Sequence, residues 1–227
     1  VAFPSVSART ETALTSAGTS FTINFTQTTG HRVVIFLVLT TGVVVTWGDS
    51  FSEIGGASGL LHVAAKVLDG SEGGNVVASL SASTKAAAIA YNITDHDSGT
   101  DPFVNSPANS LDPEPCTPTG GPLDFLFLAC CSSSQIEQAD DDTWANTAPT
   151  NYGNLVQKTS GTGGAASTNC MLAAADRQVN TTTENPNAFT TDANSNPRSF
   201  VVAVYPTAAA AATSLLIPRR YRSRIIR

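Results

Sequence analysis

Asp95, His96, Asp97 and Asp101 place three carboxylates and an imidazole within seven residues, enough oxygen to attract calcium and enough proton-transfer capacity for acid–base chemistry. The spacing is wrong for a calcium loop, which needs ligands at fixed steps, Gly at the sixth position and Glu at the twelfth. A solvated turn is expected. Asp140-Asp141-Asp142 raises the same question, and adjacent aspartates in a polar loop face water. Ser5 and Ser132-Ser133-Ser134 supply hydroxyls, but no G-x-S-x-G elbow surrounds a serine. His31, His62 and His96 fall in a pre-strand turn, a strand interior and an acidic loop. Neither G-x-x-x-x-G-K-[ST] nor G-x-G-x-x-G occurs, so nucleotide cofactors drop out. The expectation is a non-enzymatic chain with no cofactor and no metal.

Cys116, Cys130, Cys131 and Cys170 lack C-x-x-C spacing, and three scattered histidines do little to complete a zinc site. Cys130 and Cys131 close an apolar run and would point to opposite faces of a strand, so they read as buried thiols. Nothing in the sequence decides whether Cys116 and Cys170 pair. Trp47 reads as core, whereas Trp144 and Tyr152, in a polar region, are candidate contacts for carbohydrate, whose rings stack on aromatic faces. Three N-x-[ST] triplets begin at Asn24, Asn92 and Asn180. Two of them lie inside expected strands and are discounted as glycosylation acceptors.

The strongest charge feature is the run from Pro218 to Arg227, which holds five of the twelve Lys+Arg and none of the eighteen Asp+Glu. The remainder is left with seven basic and eighteen acidic residues, formally −11. An acidic body thus carries a basic arm, and such an arm seeks an acidic partner. Arg219, Arg220, Arg222, Arg224 and Arg227 alternate with Tyr221, Ile225 and Ile226, so the arm can pair charge and bury surface together. An Ala-rich spacer, Thr207 to Thr213, precedes it. The expected division is a sandwich domain over 1–206 and a spacer with extended C-terminal arm over 207–227. The expected partner is another protein of an assembly, with homo-oligomers likewise expected. Nucleic acid ranks second, because an acidic body is repelled by phosphate.

These groups need a scaffold, and the patterning describes one. Phe21, Ile23 and Phe25 alternate with polar residues as a half-buried strand does. Val33 to Leu39 is apolar without alternation, as in a central strand covered on both faces, and at seven residues falls far short of the about 20 of a membrane span. Val43 to Trp47 and Leu60 to Leu68 come next. The glycines of Asp69 to Asn75 then suggest a hairpin into strands over 75–82 and 86–94. Residues 95–122, with six prolines, read as a long excursion between sheets. Leu123 to Cys131 is a second buried strand, 132–167 reads mostly as loop, and Asn169 to Val179 and Ser199 to Tyr205 close the set. About nine strands without an amphipathic helix predict an all-β antiparallel β-sandwich, jelly-roll-like. Val1-Ala2-Phe3-Pro4 lacks the basic-then-apolar order of a secretory signal.

The opening Val1-Ala2-Phe3-Pro4-Ser5-Val6, the Val33–Leu39 run, Trp47, Lys66-Val67-Leu68-Asp69-Gly70-Ser71-Glu72-Gly73-Gly74, the Leu123–Ala129 strand, and Glu184-Asn185-Pro186-Asn187-Ala188-Phe189 before a closing Val202-Ala203-Val204 together resemble a group of β-sandwich proteins. That group is encoded among the structural genes of tailed bacteriophages, notably aquatic ones. The resemblance covers residues 1–206 and implies a virion structural protein on the particle surface, on head or tail. It suggests a capsid decoration or cement protein docking on the major capsid protein or another virion protein. The alternative is a tail-associated receptor-binding module that grips carbohydrate. No catalytic motif comes with the resemblance, and the arginine-rich arm has no counterpart in it.

Overall fold

The computed structural model describes residues 2–136, 147–161, 168–191 and 195–208 of the 227. Among these are eleven strands and no helix: β1 (Ser5–Asn24), β2 (Arg32–Leu39), β3 (Val45–Trp47), β4 (Ser52–Ala57), β5 (Leu61–Val67), β6 (Asn75–Thr94), β7 (Phe103–Val104), β8 (Leu123–Ile136), β9 (Gly153–Thr159), β10 (Asn169–Thr181) and β11 (Arg198–Val204). One sheet runs β1-β6-β2-β5-β4, with β3 also on β6. The other runs β7-β11-β8-β10-β9, and all pairs are antiparallel. The expected antiparallel β-sandwich is present. Its wiring differs from a jelly roll, whose two Greek keys pass back and forth between sheets, because here β1–β6 fill one sheet before β7–β11 fill the other.

The two sheets share one wiring. Replacing β1, β2, β4, β5 and β6 by β7, β8, β9, β10 and β11 converts the first order into the second. The edge strands even bulge at matching places. β4 carries one extra residue between the Glu53–Ala64 and Gly55–Val63 pairs, and β9 one extra between Val156–Ala174 and Gly153–Asp176. Val63 and Ala174 in turn face Phe36 and Cys130 on the equivalent central strands. Bulges on edge strands disrupt the free ladder that would otherwise template further pairing.

Period-two alternation explains why β2 and β8 are apolar throughout. Val34, Phe36 and Val38 join Leu126, Leu128 and Cys130 in the core between the sheets. Val33, Ile35, Leu37 and Leu39 face a second cluster outside the first sheet, and Phe125, Phe127, Ala129 and Cys131 a third outside the second. The first sheet supplies its own cover. β6 enters at Gly74 beside Phe25, reaches Thr40 at Lys85 and returns to place Asn92 beside Thr26. It is therefore one bent strand of 20 residues, and Val76, Ala78 and Leu80 of its first arm lie over Ala86, Ala88 and Ala90 of its second. β1 bends with it, its register shifting around Gly18. Segments around Leu111, Ala148, Tyr152 and Phe189 cover the second sheet.

Four expectations change accordingly. The strands over 75–82 and 86–94 are the two arms of continuous β6, which bends at Ser83-Thr84-Lys85 while its register to β1 shifts on either side of the Gly18–Thr84 pair. The 69–75 turn closes no hairpin, because β2 lies between β5 and β6; positive φ at Gly70, Gly73 and Gly74 reverses the chain but does not choose its partner. β4 and the first half of β1 appear where no strand was expected, and the supposed loop over 132–167 contains the end of β8 and all of β9.

Candidate functional site

The ends of β6, β8, β10 and β11 meet at one pole of the sandwich, where the chain also leaves toward the arm. Beyond β6 and β11, Asp97 N–H donates to the Tyr205 carbonyl at 2.9 Å and Thr207 N–H to the Asp95 carbonyl at 3.2 Å, pairing His96 with Pro206. The 95–101 turn is locked from beneath. Arg32, 2% exposed, donates to the carbonyls of Asp97 and Thr100 at 3.0 Å each and lies 3.6 Å from the exposed Asp101 carboxylate. Burial lowers the Arg32 guanidinium, with Asp101 opposing that shift. Asp97 accepts Thr100 Oγ1–H at 2.7 Å and Gly99 N–H at 2.8 Å, and these bonds hold its carboxyl below the usual carboxylate range. The guanidinium is thus the positive charge that this acidic turn gathers around. Among the described residues no group of three His, Cys, Asp or Glu is arranged to hold a metal; Asp140-Asp141-Asp142 lies outside them.

Beside this turn is a groove of about 400 Å³ with Pro122, Leu123, Tyr205 and Pro206 as apolar walls and Asp97 and Asp124 as its charges. Thr207 and Ala208 complete the wall, so the chain passes along the groove as it leaves the body. The Tyr205 ring packs against Phe125 at 5.2 Å and its hydroxyl meets Thr119 Oγ1 at 3.1 Å, which fixes the floor. Asp124 accepts a hydrogen bond from Asn180 Nδ2 at 2.7 Å.

Cations of the body are largely engaged elsewhere. Arg9 Nε donates to Asp176 at 3.1 Å, bridging the sheets, and Asn154 joins the same carboxylate. Lys66 reaches Glu72 at 2.7 Å and Asp69 at 3.2 Å. Arg177 pairs with Glu184 at 2.7 Å, while Lys85 donates to Asn169. The acidic pole therefore keeps Asp95, Asp97, Asp101 and Asp124 with one buried arginine behind them.

Two distinctive motifs prove to be structural. In the D-G-S-E-G-G turn the buried Glu72 carboxylate gathers Lys66 Nζ, Gln27 Nε2 at 2.8 Å and the backbone N–H groups of Asp69 and Gly70 at 3.0 and 3.1 Å. Burial alone would raise this carboxyl, but those bonds outweigh it and hold it far below the usual range. In the E-N-P-x-A-F segment, Glu184 pairs its backbone with Cys116 and Phe189 buries its ring.

The histidines do not assemble a nucleophile. Ser7 Oγ lies 3.4 Å from His31 Nδ1, and Asn92 Oδ1 approaches that same nitrogen. A proton relay needs the hydroxyl on one ring nitrogen and the orienting group on the other. His62 Nδ1 is 2.8 Å from Glu53, which also accepts Trp47 Nε1–H at 3.2 Å, and His96 Nε2 meets the Gly30 carbonyl. Ser132 and Ser134 are buried and donate to the carbonyls of Arg198 and Leu39. All four cysteines are free and buried. Cys170 lies in the core between sheets and Cys116 outside the second sheet, so they do not pair, and Cys130 and Cys131 point to opposite faces. Burial pushes the Cys170 thiol up to about 11 and the Cys116 thiol up to about 12.

Tyr152 is 8% exposed and packed in the cluster outside the second sheet, so it offers no ring face for a sugar, contrary to expectation. It belongs to the turn before β9, and the apolar cover needed there claims it. A polar groove of about 480 Å³ opens nearby, with Asp112, Thr147, Thr150, Asn185, Asn187 and Thr190 on its walls. Trp144 lies outside the described residues, as do Arg219, Arg220, Tyr221, Arg222, Arg224, Ile225, Ile226 and Arg227. The pole groove was missed in the sequence; Pro206-Thr207 after an apolar run was the one local sign of a chain exit.

Fold and site define an all-β, two-sheet sandwich with an acidic, apolar-walled groove at one pole. No family model, curated protein or solved structure matches the chain.

Proposed function

We propose that the chain is a non-enzymatic virion structural protein, a capsid decoration or cement protein that docks through its basic arm. The observation that carries this reading is the chain's exit beside an acidic, apolar-walled groove, on a body whose cations largely have internal partners. Support for the particle comes from the resemblance in the D-G-S-E-G-G and E-N-P-x-A-F segments. Extended arms suit assembly because they bury much surface per residue once they fold on contact. The partner is the major capsid protein, another virion protein or a second copy. Deleting residues 214–227 should leave the body folded, with an unchanged melting midpoint, and abolish incorporation into particles. Normal incorporation would refute the proposal.

The polar groove around Asp112, Asn185 and Asn187 favours a second reading, a tail-associated carbohydrate-binding module, since hydroxyl-rich ligands need such donors and acceptors. Copy number separates the two: hundreds per particle mean capsid, a few to dozens mean tail. Calorimetric titration with host surface polysaccharide tests the groove, and an Asn187→Ala variant should abolish any heat of binding.

A further inference from the structure

We infer that the pole groove receives residues 215–220 of the arm of a second copy of this chain. The inference deepens the assembly reading and rests on it for the arm's purpose. Leu215-Leu216-Ile217-Pro218 is apolar and is followed at once by Arg219-Arg220. The groove offers the same two chemistries, with Pro122, Leu123, Tyr205 and Pro206 as apolar walls and Asp97 and Asp124 as charges. Guanidiniums bind carboxylates through paired hydrogen bonds, and apolar side chains supply the area that exposed ion pairs cannot replace. The adjacent Asp101 carboxylate, 84% exposed, extends the complementary charge beyond the rim.

Several features favour a neighbour's arm over the chain's own. Thr207 and Ala208 already form part of the groove wall, so the chain starts its exit from the place it would have to re-enter. Residues 209–227 contain no glycine, and the first five are Ala-Ala-Ala-Ala-Thr, a sequence poor in reversal signals. Arg219 lies eleven residues beyond Ala208, a maximum span of about 36 Å. Reciprocal exchange between two poles would satisfy both grooves at once.

The test uses full chains in sedimentation velocity over a concentration series. The parent should self-associate. R219D/R220D and Asp124→Arg should each weaken association at least about tenfold, equivalent to 1.4 kcal/mol. Asp124 is chosen because the side chain of Asn180 is its partner, and matching melting midpoints will establish that each variant is folded. An equimolar mixture of the two weakened variants should regain a heterodimer, because it contains one native arm and one native groove. Association of Asp124→Arg equal to the parent's, a mixture that stays monomeric, or a monomeric parent would each overturn the inference. The 214–227 deletion reports on assembly separately. If it blocks incorporation while Asp124→Arg associates normally, the groove is excluded and the assembly reading stands; normal incorporation with groove-dependent association does the reverse.

Discussion

Replacing Glu72 by Ala removes the hub of the 68–74 turn, and the structure sets the scale of the loss. The carboxylate is fully enclosed and accepts from Lys66 at 2.7 Å, Gln27 at 2.8 Å, Asp69 N–H at 3.0 Å and Gly70 N–H at 3.1 Å. Removing one partner of a buried ion pair costs about 3–5 kcal/mol. Lys66 keeps Asp69 at 3.2 Å and the Asp49 carbonyl at 2.8 Å, so the lower end applies, about 3 kcal/mol. For a domain of this size that is a fall in Tm of about 6–12 °C. Glu72→Gln retains shape and half the acceptors and should lose about half as much stability. The folded carboxyl is held low, so its stabilisation is complete above the unfolded value of about 4.3 and is lost as pH falls through the folded value. Urea melts at pH 7 and pH 3 test both parts. The gap between parent and Glu72→Gln should be full at pH 7 and smaller at pH 3. An Ala variant within about 0.5 kcal/mol of the parent at pH 7, the scatter of ordinary surface substitutions, would refute the reasoning.

Asp in place of Ile35 or Leu126 should unfold the chain, since both side chains are fully enclosed and an unpaired charge there has no partner; circular dichroism reads the result. Gly55→Ala should cost about 1–3 kcal/mol, because its Cβ would lie 2.8 Å from Val104 Cγ1 where the two sheet edges meet, and a melt unchanged within error would contradict that packing. The native chain should leave Ellman's reagent uncoloured for hours, whereas the denatured chain releases four equivalents, as its thiols are enclosed and held protonated.

The two central strands were legible because burial on both faces leaves a continuous apolar run, which β2 and β8 carry. Edge strands gave weaker signals. Ser52-Glu53-Ile54-Gly55-Gly56-Ala57 has two glycines and no alternation, yet forms β4, because β5 offers a free ladder and Gly55 lets Val104 approach. Partner choice was illegible in the 69–74 turn, where local chemistry fixes a reversal and the long-range pairing of β2 decides who stands beside whom. The site obeyed the same division. Arg32 sits within an apolar strand and reads as a strand opener, but its contacts lie in the 97–101 turn and only folding brings them together. The groove joins Pro122-Leu123-Asp124 to Tyr205-Pro206, and no local pattern links segments so far apart.

The common wiring of the two sheets gives the chain's exit at Thr207 and Ala208 a place in the architecture. β6 and β11 are equivalent strands, and both run out at the same pole, where their extensions pair through His96 and Pro206. Beyond β6 lies the 95–122 crossover, which carries the chain from one sheet to the other and so joins the two halves of one sandwich. Beyond β11, Pro206, Thr207 and Ala208 carry the chain past the groove at that pole, and the spacer and arm follow in the sequence. A crossover needs only to reach a sheet about 10 Å away. The arm has greater reach, an apolar segment to anchor it and arginines suited to the acidic pole it departs from. The pairing of the two strand extensions at this one pole is why the charge exchange proposed between two poles, rather than any residue of the 95–101 turn alone, is the experiment on which the functional proposal turns.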